Sequence, residues 1–311
     1  MTLHPVISAI IDRQRSLGAP GLSDGSPDDA RAMLASGRDG LGGGPDMATI
    51  QDVVIPGRSG PVAARVFVPA GEVVGVMAYL HGGGWVLGAL DDFDPLARTL
   101  ADATRCAVVL PDYRLSPEHP FPAGLEDVED AIVWAATAAL PVARPLPLVV
   151  AGDSAGGNLA TVALRRLGGT VQTALQVLIY PVTDCAFDTP SYRQHADGLP
   201  LTRRDMQWFF EQYAPQDMWA SPDISPARAA DVSALPPSVV ITAEYDVLHS
   251  EGQSYAAQLQ AAGVPTHLQT YPGVTHGFLR MHNFLDVARD AVADIASAVA
   301  RGVSEPAEEP S

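Results

Sequence analysis

A chain of 311 residues with 47% hydrophobic content has enough apolar mass for one large α/β domain or two small ones. Its 19 basic residues against 36 acidic ones leave a net charge of −17, which argues against nucleic acid or an anionic membrane as partner and reads most simply as solubility. All 19 basic residues are Arg, and the absence of Lys excludes Schiff-base chemistry, a Walker-A phosphate loop and Ser-Lys hydrolysis.

In chain order, Val6, Ile7, Ile10, Ile11 and Leu17 recur at helical spacing and predict an amphipathic helix. Asp12, Arg13 and Arg15 interrupt it too early for a signal peptide, and no apolar run reaches transmembrane length. A soluble, cytoplasmic protein is expected. Residues 18–45 are rich in Gly, Asp and Pro, with one short helix predicted over 27–36. Residues 49–55 and 62–68 are strand-like and flank the turn Pro56-Gly57-Arg58-Ser59-Gly60, which predicts an antiparallel pair.

A third strand over 73–80 runs directly into His81-Gly82-Gly83-Gly84-Trp85. Consecutive glycines beside a strand end let backbone amides approach a ligand oxygen without obstruction. His81 lies on that donor side and reads as a residue that orients the loop rather than as a base. A helix over 94–104 and a buried strand over 106–112 follow. In the Pro-rich loop 113–124, Arg114 and Glu118 stand four apart and predict an ion pair bracing the turn. A helix over 125–140 places Val128, Ile132 and Ala135 or Ala136 on one face. Cys106 and Cys185 have neither disulfide nor metal spacing, and both read as buried free thiols.

The apolar run 147–151 then stops at Gly152-Asp153-Ser154-Ala155-Gly156, and residues 159–166 read as a helix. With 28 Gly and 18 Ser, a bare G-x-S-x-G arises by chance about 0.15 times in such a chain. The strand before it and the helix after it turn the pattern into a nucleophile elbow: Ser154 projects from a strained turn, and the Ala155 amide points where an oxyanion would form. Residues 175–180 form another strand, 181–201 read as irregular, and 202–213 as a helix carrying Met206, Trp208, Phe209, Phe210 and Tyr213. These aromatics suit either core or a lid over a pocket. A strand over 238–243 ends at Glu244-Tyr245-Asp246, and a helix over 251–262 is closed by Gly263. Residues 266–271 alternate as a strand and lead to Pro272-Gly273-Val274-Thr275-His276-Gly277-Phe278. A closing helix over 283–301 precedes a Glu- and Pro-rich tail expected to be disordered. There are no internal repeats.

After the first pair, strands alternate with helices, which implies a mostly parallel, doubly wound sheet with its ligand site at the carboxyl ends of the strands. Ser154, Asp246 and His276 each follow a strand at that edge, in the order of the α/β-hydrolase triad. Glu244 and Glu251 compete with Asp246 for the acid role. Asp246 is preferred, because Glu244 lies nearer the strand and Glu251 falls in a helix.

With those pieces in place, the sequence resembles the bacterial hormone-sensitive-lipase-like esterases (family IV) in their GDSAG branch. The matching segments are His81-Gly82-Gly83-Gly84-Trp85, Tyr113-Arg114-Leu115-Ser116-Pro117-Glu118, Phe121-Pro122-Ala123, Gly152-Asp153-Ser154-Ala155-Gly156-Gly157-Asn158, Asp246-Val247-Leu248 and His276-Gly277-Phe278, in order along nearly the whole chain. The resemblance implies an α/β-hydrolase fold with a mostly parallel eight-stranded sheet, helices on both faces and a helical cap. It implies Ser154 as nucleophile, His276 as base, Asp246 as acid, and the amides of Gly83, Gly84 and Ala155 as oxyanion hole. Residues 1–45 and 185–230 would form the cap, 46–184 and 231–301 the hydrolase core, and 302–311 the tail. Two departures stand out: the family has Asp-Pro-Leu where this chain has Asp246-Val247-Leu248, and Ala where it has Ser116. The expected activity is hydrolysis of short- to medium-chain acyl esters without cofactor or metal, in a pocket lined by Trp85, Trp208, Phe209 and Tyr213. The expected partner is a small-molecule ester, with no nucleic acid and no stable membrane association, and a homodimer is compatible with the sequence. An amidase, formamidase or natural-product deacetylase using the same triad, and a non-catalytic ligand receptor on this fold, are the alternatives.

Overall fold

In the computed structural model, which describes residues 2–137 and 145–304, three helices come first: α1 (Pro5–Ser16), α2 (Pro27–Ser36) and α3 (Arg38–Leu41). The sheet and its covering helices follow as β1 (Thr49–Gly57), β2 (Gly60–Val68), β3 (Gly75–Leu80), α4 (Leu90–Thr104), β4 (Cys106–Pro111), α5 (Ala123–Thr137), β5 (Leu148–Asp153), α6 (Ala155–Leu167) and β6 (Leu175–Ile179). After two further helices, α7 (Pro190–Gln194) and α8 (Arg203–Tyr213), the chain ends with β7 (Ser238–Tyr245), α9 (His249–Ala261), β8 (Thr266–Thr275) and α10 (Asp286–Ser304).

The eight strands pair in the order β1-β2-β4-β3-β5-β6-β7-β8. β2 runs antiparallel to both β1 and β4, and the pairs from β4 to β8 are parallel. The antiparallel opening and the mostly parallel sheet expected from the sequence are both present. Because strand side chains alternate in direction, one strand feeds two cores. Val76, Ala78 and Leu80 of β3 pack with residues of α5, α6 and α9 such as Leu125, Leu159 and Leu259, while Met77 and Tyr79 pack with Phe93, Leu100 and Ile295 of α4 and α10. The central strands β3, β4, β5 and β6 are buried along their whole length, which is why they read as near-continuous apolar runs. No helix among the described residues is long and apolar enough to cross a membrane.

Several boundaries differ from the sequence reading, each for a local reason. α6 begins at Ala155 rather than 159, directly after the serine, because Gly156 and Gly157 are accommodated in its first turn. β8 runs on through Pro272 and Gly273 to Thr275, because a register shift in β7 lets Tyr245 pair with Thr275. α10 continues through Ser304, three residues into the expected tail, and 305–311 lie outside the described residues, as do 138–140 of the predicted 125–140 helix. Within 181–201 a short helix forms at α7, where Thr189 Oγ1 accepts from Tyr192 N. Cys106 is buried, but Cys185 is only partly so.

The expected Arg114–Glu118 pair does not form. Arg114 instead makes a bidentate pair with Asp127 of α5 (2.8 Å to each carboxylate oxygen), and Glu118 pairs with Arg31 of α2 (2.8 and 2.7 Å). The intervening chain turns rather than continuing as a helix, so a spacing of four does not bring the two side chains to one face.

Candidate active site

The elbow at Ser154 is set by two close backbone approaches. A Cβ on Gly152 would lie 2.4 Å from the Gly156 carbonyl oxygen, and one on Gly156 would lie 2.0 Å from the Leu80 carbonyl oxygen. Only glycine fits either position, so the turn is tight enough to hold Ser154 at φ 55°, ψ −120°, a region that L-residues rarely occupy. Ser154 N donates to the Ile179 carbonyl (2.8 Å), which fixes the strained residue to the end of β6.

Three strand ends converge on the Ser154 hydroxyl. His276, after β8, has Nε2 2.9 Å from Ser154 Oγ and Nδ1 2.7 Å from Asp246 Oδ2, after β7. A carboxylate only accepts, so Nδ1 carries a proton and the neutral ring offers its Nε2 lone pair to the serine. Asp246 is 1% exposed, and its other oxygen accepts from Leu248 N (3.0 Å), so the carboxylate is held from both ends. Tyr180 packs against the imidazole with ring centroids 4.7 Å apart. The competing carboxylates are engaged elsewhere: Glu244 accepts from Gly273 N (2.8 Å), and Glu251 from Thr183 N (2.6 Å) and Asp184 N (3.3 Å). Burial pushes the Glu251 carboxyl well above its usual range, against the pull of those two amides.

The glycine loop lies beside this group. Gly83 O accepts from Val86 N (3.1 Å) and Leu87 N (2.8 Å), closing a turn. The amides of Gly83 and Gly84 donate to no acceptor among the described residues. Ala155 opens α6, where first-turn amides lack helical acceptors. Asp153, a motif residue that the sequence reading gave no role, ties the two loops together. Its Oδ1 accepts from Gly82 N (2.9 Å) and from the Tyr79 hydroxyl (2.7 Å). Burial raises the Asp153 carboxyl, opposed by the Tyr79 hydrogen bond.

His81 is buried between the rings of Phe93 and Tyr113, at centroid distances of 4.9 and 4.4 Å. Its Nδ1 donates to the Gly82 carbonyl (2.8 Å), and burial holds it down at about 4, so it is a neutral part of the loop's support.

The four pocket candidates fall in two layers. Phe209 of α8 sits directly on the glycine loop, where a Cβ on Gly84 would lie 2.2 Å from its ring, and the half-buried Trp208 meets it edge-on at 5.1 Å. Trp85 and Tyr213 are buried and stack face to face at 4.3 Å, with Phe210 against the edge of Trp85. α8 is itself tied to the N-terminal segment, since Asp205 Oδ1 accepts from Ser23 N (3.0 Å) and Ser23 Oγ (2.7 Å).

Comparison with known proteins agrees with this geometry. A family model described as alpha/beta hydrolase fold matches residues 77–280. The chain is 37% identical over 292 residues to the carboxylic ester hydrolase LipN of Mycobacterium tuberculosis (strain ATCC 25618 / H37Rv), covering 90% of this chain and 78% of that protein. It is 38% identical over 229 residues to the ethyl acetate hydrolase of Pseudomonas putida, covering 72% of each. Among solved structures, the hyperthermophilic esterase of Pyrobaculum calidifontis superposes with a TM-score of 0.88 at 37% identity, over 97% of this chain and all of that one.

Proposed function

Since the chain belongs to the α/β-hydrolase family, and within it is a bacterial hormone-sensitive-lipase-like carboxylesterase, we propose that it cleaves small acyl esters through Ser154, His276 and Asp246. The observation that carries the reading is the continuous Asp246–His276–Ser154 hydrogen-bond chain at 2.7 and 2.9 Å, built from three separate strand ends. His276 Nε2 takes the Ser154 proton as the hydroxyl attacks the ester carbonyl. Asp246 holds the productive tautomer and stabilises the imidazolium that forms. The Gly83, Gly84 and Ala155 amides receive the developing oxyanion, with about 3 kcal/mol at stake in a single such donor. His276 then protonates the departing alkoxide, and a water attacking the acyl-enzyme repeats the cycle in reverse.

The cap reading places the N-terminal segment and residues 185–230 over this site, stitched together by the Ser23–Asp205 bonds. Phe209 on Gly84 then limits the depth available to the acyl chain. Each buried methylene gains about 0.8 kcal/mol until that depth is used up, after which longer chains must displace α8. The substrate class is therefore short- to medium-chain esters, and the enzyme is read as cytoplasmic. The test is a series of p-nitrophenyl esters from acetate to palmitate, with anilides alongside. The expected kcat/KM climbs from acetyl, peaks at a short or medium chain and falls beyond it, and activity on every ester is lost in Ser154→Ala. A profile still rising at palmitate would refute the limited pocket, and a Ser154→Ala protein turning over above a few per cent of wild type would refute the nucleophile.

A further inference from the structure

Arg31, which the sequence reading passed over, uses every donor it has. Nε donates to the Val86 carbonyl (2.9 Å) and Nη2 to the Ser116 carbonyl (2.9 Å). Nη1 and Nη2 also clasp the two oxygens of Glu118 (2.8 and 2.7 Å), and the second Nη1 proton goes to Asp28 (3.1 Å). A guanidinium carries five N–H groups in one plane, and here all five are engaged. The ion-pair part of this cluster is ordinary: Arg31 is 27% and Glu118 53% exposed, and pairs of that exposure add little to stability. The two carbonyls are the unusual part. Val86 lies in the turn that closes on Gly83 O, and Ser116, whose N–H donates to Trp85 O (2.9 Å), holds the same turn from its other side. One side chain on α2 thus spans the glycine loop and the loop packed behind it. The segment it comes from is anchored in turn, through Ser23 to Asp205 and Asp24 to Arg204 (2.9 Å).

We propose that Arg31 is a positioning residue for the oxyanion loop, holding the Gly83–Leu87 turn where its amides meet the oxyanion, so that turnover depends on a side chain from the N-terminal segment. This rests on the reading of Gly83 and Gly84 as oxyanion donors. Lys cannot replace it, because a tetrahedral ammonium with three donors cannot reach two carbonyls and a carboxylate lying in one plane. The role differs from that of a surface ion pair in what it predicts: the loss should fall on kcat, where donor placement counts, and not on substrate binding.

The experiment compares Arg31→Met, Arg31→Lys and Glu118→Gln with wild type. It reads kcat and KM on a short-chain p-nitrophenyl ester, the affinity for an alkyl trifluoromethyl ketone that adds to a nucleophilic serine as a hemiketal, and the melting temperature. Arg31→Met is expected to lose about 30- to 100-fold in kcat with KM within about threefold, because displaced donors cost on that scale. Its affinity for the ketone should weaken by a similar factor. Arg31→Lys should lose at least about tenfold, and it serves as the deciding variant if Arg31→Met does not fold. Glu118→Gln leaves both carbonyl contacts in place and should keep kcat within about twofold, even if it melts at as low a temperature as the Arg31 variants. A kcat within threefold of wild type in the Arg31 variants, or an equal loss in Glu118→Gln, would overturn the proposal. If wild type forms no ketone adduct that is lost in Ser154→Ala, the reading of the site fails with it. If wild type and the Arg31 variants bind the ketone equally tightly, the positioning role alone fails.

Discussion

Gly83→Ala is expected to lower kcat by about two to three orders of magnitude while leaving the fold intact. Gly83 has φ +119°, and a Cβ there would lie 2.3 Å from the Leu87 carbonyl oxygen and 2.8 Å from its carbon. Both are backbone atoms of the turn that closes on Gly83 O, so no side chain can step aside to make room. The strain of an L-residue at that φ costs about 1–3 kcal/mol. Opening the turn displaces a donor whose loss costs about 2.7–4 kcal/mol in the transition state, a factor of about 10² to 10³ in kcat. Gly84→Ala provides the contrast. Its φ is +59°, and its obstruction is the Phe209 ring at 2.2 Å, a side chain that can be trimmed. Gly84→Ala/Phe209→Leu should therefore recover at least about tenfold of what Gly84→Ala loses, whereas Phe209→Leu should recover nothing in Gly83→Ala. The assay is kcat and KM on a short-chain ester, with circular dichroism to check folding. A Gly83→Ala enzyme keeping more than a third of wild-type kcat, or equal rescue of both variants by Phe209→Leu, would refute the assignment of the donors.

Asp246→Asn should lower kcat about 10⁴-fold, because a mis-set imidazole tautomer cannot accept the serine proton, while Glu244→Gln stays within about threefold of wild type. The reverse pattern in steady-state kinetics would move the acid to Glu244. His81, held at about 4 by burial against its ordinary 6.5, binds its proton more weakly in the folded protein than in the unfolded chain. Its contribution to stability is therefore fully present above pH 6.5 and drains away by about 3 kcal/mol as pH falls to about 4. Histidine ring shifts followed by NMR, with the His81 resonance assigned, should show its imidazole still neutral at pH 5.5, and a midpoint near 6.5 for His81 would contradict this. Glu251 has the opposite sign: its raised carboxyl favours folding at low pH and opposes it as pH rises through the raised value. Urea denaturation of Glu251→Gln should therefore show it gaining on wild type as pH rises above the ordinary carboxylate range, and a constant gap would mean that the Glu251 carboxyl is no higher in the fold than in the unfolded chain.

What could be read from the sequence was local. The elbow announces itself because Gly152, Ser154 and Gly156 are all needed within five residues, and the sheet because β3, β4, β5 and β6 are buried from end to end and nearly all apolar, with Gln176 and Asp153 the polar exceptions. The preference for Asp246 over Glu244 followed from distance along the strand, and in the structure Asp246 is the carboxylate bonded to His276. Contacts set by tertiary placement were not legible. Arg114 and Glu118 have helical spacing without a helix, so their true partners, Asp127 and Arg31, lie 13 and 87 residues away. Arg31 carries no motif, because its role depends on α2 lying against two distant loops. Asp153 was hidden differently: it sits inside the motif, but its partners Tyr79 and Gly82 belong to another strand end.

The assignment of Ser154 as the nucleophile is tested most directly by mass spectrometry of the intact and digested protein after exposure to an alkyl fluorophosphonate. One adduct per chain is expected on the peptide carrying Ser154, appearing in step with the loss of esterase activity and absent from Ser154→Ala. Complete inactivation with that peptide unmodified, or the adduct on another residue, would contradict it.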